Sequence, residues 1–247
     1  MDLMTLRQLS VDRRIQNASF SLQAGQTVGL IGPNGAGKSS LLHAIGGLLS
    51  CSGEVIVEGV PLGQMDRLER ARKVALQPQF VDSAWALSVH DIVSMGRLPW
   101  GDFDQQIIHQ AMRDTDVDRF SSRRIDRLSG GERARVWLAR VLANQPRILL
   151  VDEPIANLDL GYQLQVMQLL ADYAQRGNGV LVALHDLELA ARFCDKLCLV
   201  DQGRVRAFGG IADVLRPELL SGIYRTDLRV DLDQQPPVVQ GLGKKPG

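Results

Sequence analysis

Three things are scarce in this 247-residue chain: cysteine, net charge and long apolar runs. Cys51, Cys194 and Cys198 are an odd, sparse set, which excludes a disulfide framework and fits a reducing compartment. Cys194 and Cys198 flank Asp195-Lys196-Leu197, where a helix is expected to run into an apolar strand. With no His or Cys cluster beside them, they read as structural thiols rather than a metal pair. Lys plus Arg and Asp plus Glu both number 28, so the net charge is zero and no nucleic-acid partner is expected. No apolar run approaches the roughly 18 residues of a membrane span. The start, MDLMTLRQLSVDRR, lacks the long apolar core of a secretory signal. The chain is therefore expected to stay in the cytosol and to reach a membrane only by docking on another protein. There is no internal repeat.

What is present begins with GPNGAGKS at 32–39, a match to G-x-x-x-x-G-K-[ST]. It follows the apolar run TVGLI and precedes the helix-like SLLHAI. Strand, glycine loop and helix is the context a phosphate loop requires. Gly32, Pro33, Asn34, Gly35, Ala36, Gly37, Lys38, Ser39 and Ser40 are the expected nucleotide-binding residues. Glycines let the backbone wrap an anion at φ values other residues avoid, and helix N-terminal amides complete the cradle. Lys38 supplies a charge for the β- and γ-phosphates, and Ser39 a hydroxyl for Mg²⁺. The bland alternative is a chance glycine turn before a helix.

Around this loop the chain alternates strands with helices, the pattern of parallel β-α-β units. Strands are expected at 3–11, 54–58, 73–76, 148–151, 180–184 and 197–200, with helices at 64–72 and 160–176. Residues 80–127 turn polar and mostly helical, and read as an inserted helical subdomain, about 80–140 with the helix that follows. Residues 1–230 form one α/β domain with an antiparallel β region at its N-terminus. The Gly/Pro/Gln-rich tail, 231–247, is expected to be unordered.

Two further motifs carry chemistry. The apolar strand Ile148-Leu149-Leu150-Val151 ends in Asp152 and Glu153. A strand buried on both faces presents its C-terminal end to ligands in α/β sheets. Asp152 there suits Mg²⁺ together with Ser39. Glu153 suits the water that attacks the γ-phosphate. An exposed acidic turn is the alternative for the pair alone. Leu128-Ser129-Gly130-Gly131-Glu132 then opens a strongly helical run. Ser129 and Glu132 have capping-box spacing, and a capped helix start with two glycines also offers amides to an anion.

In this order, GPNGAGKS, LSGGE and ILLVDE resemble the ATP-binding cassette (ABC) ATPases, and the likeness covers about 3–227. The resemblance implies a phosphate-loop ABC ATPase fold with a RecA-like parallel or mixed core. It implies ATP and Mg²⁺ as ligands and head-to-tail pairing with a second copy. Each ATP would lie between residues 32–39 of one copy and Ser129, Gly130, Gly131 and Glu132 of the other. Gln79 resembles the Q-loop glutamine, a contact to Mg²⁺ or attacking water. His185 resembles the switch histidine at the γ-phosphate, and Asn157-Leu158-Asp159 the D-loop at the dimer interface. The chain departs from the family where an aromatic usually stacks on adenine: here the stretch is VDRRI, and Arg13 or Arg14 is the candidate for the base. Ser39-Ser40 replaces the commoner Ser-Thr and keeps the hydroxyl.

Leu87 to Pro99, LSVHDIVSMGRLP, resembles the V-x-[DE]-[IV]-V-x-x-G-R-x-P segment of importer cassettes. That segment and HDLELAARFCD resemble cassettes serving iron–siderophore, haem and cobalamin permeases. The implied role is ATP hydrolysis driving import through separate integral-membrane permease subunits, with a substrate-binding protein as an indirect partner. The implied location is the cytoplasmic face of the membrane. Alternatives are a zinc or manganese importer cassette, a soluble ABC ATPase acting on nucleic acid or ribosomes, and a nucleotide-gated binding module without turnover.

Overall fold

Apolar runs and glycine turns fold into parallel β-α-β units in a computed structural model that describes residues 2–79, 87–156 and 158–244. The chain opens with an antiparallel hairpin, β1 (Asp2–Val11) and β2 (Ile15–Gln23), around a three-residue turn. Five buried residues form β3 (Thr27–Ile31), and the phosphate-loop segment leads into α1 (Lys38–Ile45). Two strands, β4 (Ser52–Val57) and β5 (Val60–Pro61), return to the hairpin and complete a four-stranded antiparallel sheet in the order β2-β1-β4-β5. Next come α2 (Arg67–Lys73) and β6 (Val74–Gln77). Three α-helices follow, α3 (Val89–Ser94), α4 (Gln105–Asp114) and α5 (Gly130–Ala143). The alternation resumes with β7 (Ile148–Asp152), α6 (Leu160–Gln175), β8 (Gly179–Ala183), α7 (Leu187–Phe193) and β9 (Lys196–Asp201). The C-terminal part adds β10 (Arg204–Gly210), α8 (Ile211–Val214), α9 (Pro217–Tyr224), β11 (Thr226–Asp231) and β12 (Val238–Lys244).

The main sheet runs β10-β9-β3-β8-β7-β6, parallel except for the antiparallel edge β10. Period-two alternation splits its side chains into two cores. Leu149, Val151, Val180, Val182, Leu197 and Leu199 face the helical layer. Ile148, Leu150, Leu181, Ala183, Cys198 and Val200 face α1 and the antiparallel sheet. Cys194 and Cys198 belong to different cores and both are buried free thiols, so they make no pair.

Register positions the site. Leu30 stands opposite Ala183, Ala183 opposite Asp152, and Val151 opposite Gln77. The residues that follow β3, β8, β7 and β6 therefore emerge side by side at one carboxyl edge, the edge where open α/β sheets bind ligands.

The importer-like segment is a packing device. Ser88 caps α3 with a capping box through Asp91, and Val89, Ile92 and Val93 are fully buried. A Cβ on Gly96 would meet the Arg140 carbonyl of α5 at 2.1 Å, so only glycine allows this approach. The buried Arg97 donates two bonds to Asp102 and one to the Ala143 carbonyl. The Pro99 carbonyl accepts a bond from Arg72.

Elsewhere the structure corrects the reading. The helix expected at 64–72 is α2, Arg67–Lys73, preceded by a separate 3₁₀ turn, Leu62–Gln64. The strands β2 and β10 were not anticipated. The tail expected to be unordered carries β12, antiparallel to β11, with Val230 opposite Val239 and Asp231 opposite Val238. Val239 packs on the helical-side core, and its amide donates to Glu188 of α7. The Gly, Pro and Gln content masked a two-valine strand that has a surface to cover. Of the stretch expected as an inserted helical subdomain, about 80–140, the described part holds α3, α4 and most of α5, and residues 80–86 lie outside the described residues.

Candidate functional site

Gly32 has φ 145°, and a Cβ there would lie 2.0 Å from the Val200 carbonyl oxygen. Gly37 has φ 111°, and a Cβ would crowd Ile15 Cδ1 at 2.8 Å and the Arg14 carbonyl at 3.0 Å. These positions exclude side chains, so the loop can close into an amide cradle. Lys38, 5% exposed, folds back over it and donates to the carbonyls of Gly32 (2.8 Å) and Pro33 (3.3 Å). Burial pulls its pKa down, and the nearby Glu153 and Asp152 carboxylates oppose the shift.

Asp152 closes β7 and is 2% exposed. Its Oδ1 has no hydrogen-bond partner. Burial raises its carboxyl above the usual range; the neighbouring Ser39 hydroxyl opposes that and Glu153 adds to it, while His43 and Lys38 oppose it. Glu153, the next residue, sits in left-handed backbone (φ 50°), uncommon for a side chain outside Gly, Asn and Asp. The turn aims its carboxylate between two other predicted residues. Gln79 Nε2 donates to Glu153 Oε2 at 2.6 Å, and His185 Nε2 pairs with Glu153 Oε1. His185 follows β8, where Leu184 N–H donates to the Leu30 carbonyl; Asp186 then caps α7.

One open cleft of about 380 Å³ gathers Asn34, Gly35, Ala36, Gly37, Lys38, Ser39, Ser40, Gln79, Glu153 and His185. Gly32 and Pro33 lie beneath it as the acceptors of Lys38. Asp152 lines an adjoining cavity that shares Gln79 and Glu153 with the cleft. Ser129, Gly130, Gly131, Glu132 and Asp159 are not brought to this cleft, and of these Gly130 lines the adjoining cavity. Ser129 instead caps the 14-residue α5 by accepting from Glu132 N–H (3.3 Å), while Glu132 Oε2 accepts from Ser129 N–H (2.8 Å). That backbone bond leads the causes holding the Glu132 carboxyl below its usual range. Ser129 and Gly130 are exposed, so this glycine-containing helix start faces solvent. Asp159 caps α6 through Tyr162 N–H at 3.0 Å, and Asn157 lies outside the described residues.

Some neighbours of the site were not singled out in the sequence. His43 is one helical turn beyond Ser39 on α1, close enough to act on Asp152; that spacing was the available signal. The turn before β2 meets the phosphate loop: Gly203 N–H donates to the Ala36 carbonyl and Gln16 N–H to the Gly203 carbonyl, both at 2.8 Å. Arg13 and Arg14 are exposed on that turn beside Gly37.

Comparison with known proteins places this arrangement among relatives. The family model described as ABC transporter matches residues 15–156. The hemin import ATP-binding protein HmuV of Nocardia farcinica is 43% identical over 224 residues, covering 88% of this chain and 78% of that protein. A metal-chelate type ABC transporter in an inward-facing conformation superposes with TM-score 0.83 at 25% identity, covering 99% of this chain and 98% of the other. A dimeric bacterial ABC transporter cassette superposes with TM-score 0.74 at 26% identity, covering 84% and 98%.

Proposed function

The chain belongs to the ABC transporter family of ATP-binding proteins, and from that premise we propose that it powers import of a metal-chelate substrate, haem foremost, through a separate membrane permease. The observation that carries the reading is convergence. Lys38, Gln79, the adjacent pair Asp152 and Glu153, and His185 come from four separate segments and meet at one carboxyl edge of the sheet. Among the described residues no helix is long and apolar enough to cross a membrane, in keeping with a permease as the membrane partner and the cytoplasmic face as the workplace. A substrate-binding protein would deliver the chelate to that permease.

The residues divide the work. Loop amides and Lys38 hold the triphosphate. The unpartnered, buried Oδ1 of Asp152 and the adjacent Ser39 hydroxyl are hard oxygen donors that fit Mg²⁺. When bound, that ion neutralises charge between the β- and γ-phosphates. Glu153 accepts a proton from the attacking water, and Gln79 and His185 orient the groups around it. Gln79 and His185 each pair with the Glu153 carboxylate, which sets both beside the group that takes the proton. The exposed helix start at Ser129 to Glu132 supplies the missing outer wall when a second copy pairs head to tail. Asp159 lies at the start of α6, near the expected interface.

The test deletes the gene and follows uptake of labelled haem, cobalamin and ferric chelates in parallel. Loss of uptake, haem first, is expected. Unchanged uptake of all three would overturn the chelate assignment.

A further inference from the structure

The hairpin of β11 and β12 forms a two-stranded sheet of its own and joins neither of the other two sheets. It is anchored by side chains. Leu228 and Val230 of β11 and Val239 of β12 pack on the helical-side core, which also takes in Leu189 and Ala190 of α7. The Val239 amide donates to Glu188 Oε1 at 3.1 Å. Glu188 lies in the first turn of α7, and His185 precedes that helix. Asp186 caps the same turn by accepting from Leu189 N–H at 2.9 Å. With only seven residues, α7 is too short to be stable except through its contacts. The hairpin therefore restrains, from outside the main sheet, the turn that carries His185 to Glu153.

The same C-terminal stretch meets the site at a second place. α9 leads directly into β11 and ends at Tyr224. The Tyr224 ring packs on the helical-side core, and its hydroxyl lies close enough to the Gly32 backbone for that group to act on it. One continuous segment thus reaches from the first glycine of the phosphate loop to the helix behind His185.

We propose that the C-terminal hairpin is a strap that positions His185, with the Glu188–Val239 hydrogen bond as its fastening on α7. The inference rests on the reading of His185 as an orienting group beside Glu153. Glu188 and Val239 line neither the cleft nor its adjoining cavity and are positioning residues. A simpler account is that Glu188 serves only the helix dipole, which favours a carboxylate in the first turn without any partner. Val239→Pro separates the two. It removes the amide donor, keeps the carboxylate, and places proline where an edge strand tolerates it.

The experiment measures steady-state ATP hydrolysis by the full-length chain in Glu188→Ala, Glu188→Gln and Val239→Pro. In parallel, NMR of ring-labelled histidine follows His185, assigned with His185→Ala. Glu188→Ala and Val239→Pro should each lower kcat about threefold at unchanged KM for ATP, the rate equivalent of one modest hydrogen bond. Both should shift the His185 ring resonance and leave those of His43, His90 and His109 in place. Glu188→Gln keeps an acceptor without the charge and should recover most of the rate. Full kcat with an unmoved His185 resonance in both variants overturns the inference. So does a loss confined to Glu188→Ala, which is the dipole effect, or a rise in KM alone, which is a defect in holding ATP. If Val239→Pro fails to fold, recovery in Glu188→Gln supports the strap and its failure to recover overturns it. His185→Ala keeps the two ideas apart. If it is slow while Glu188→Ala and Val239→Pro run at full rate, only the strap falls. If it hydrolyses ATP at the parent rate, the reading of His185 falls, and the strap's role in hydrolysis with it.

Discussion

Glu153 concentrates the proposed chemistry at the residue scale. Its left-handed backbone is a strained choice that aims the carboxylate at Gln79 and His185. Glu153→Gln keeps the shape and removes the proposed base. Turnover is expected to fall at least about 100-fold, the scale of general-base catalysis, with an ATP-bound dimer accumulating in sedimentation. Near-normal phosphate release would show another group takes the proton. Asp152 makes a second residue-scale case. Burial raises its pKa, so its contribution to folding is present below the unfolded-state pKa and is lost as pH rises through the folded-state value. Asp152→Asn should therefore stabilise the nucleotide-free chain near neutral pH while ending hydrolysis. Urea midpoints of the two proteins, measured from acid to neutral pH, should diverge as pH rises. Parallel curves would mean the buried carboxyl costs the fold nothing.

At the scale of elements, the cap at Ser129 was legible from its spacing to Glu132, because capping is local. The tie between α5 and α6 was not. The Arg135 guanidinium, buried on α5, lies 3.9 Å from the centroid of the Tyr162 ring on α6. Asp116 accepts from Arg135 Nη1 at 2.9 Å and from the Tyr162 hydroxyl at 3.2 Å. This cluster joins the helix that begins at Ser129 to the helix capped by Asp159. Tyr162→Ala should cost about 1–2 kcal/mol, the range of a desolvated cation–π contact, read from the urea midpoint, and Tyr162→Phe should recover most of it. The Leu87 to Pro99 segment teaches the same lesson. Its sequence reads as a marker of import, yet Gly96 and Arg97 earn their places by packing on and bonding to α5.

On the scale of the whole molecule, the proposed head-to-tail pairing gives each chain half of two sites. The cleft and the Ser129 helix start are apart within one chain, and the helix start is solvent-exposed. Ser129→Arg is expected to leave ATP binding to the single chain intact. It should prevent ATP-driven dimerisation of an otherwise hydrolysis-deficient protein, as read by light scattering. Dimerisation at the parent concentration would remove this helix start from the interface. The C-terminal hairpin belongs to this scale too, since β12 reaches back to Glu188 on α7, just beyond His185.

The sequence by itself determined the phosphate loop, the acids closing β7, the capped start of α5 and the alternation that makes a parallel sheet. All of these rest on local spacing, glycine freedom and side-chain period. Only the tertiary structure decided that Gln79 and His185 meet at Glu153, and that the tail pairs as a strand. Those outcomes depend on strand register and on contacts between segments far apart in the chain, and no local pattern encodes either.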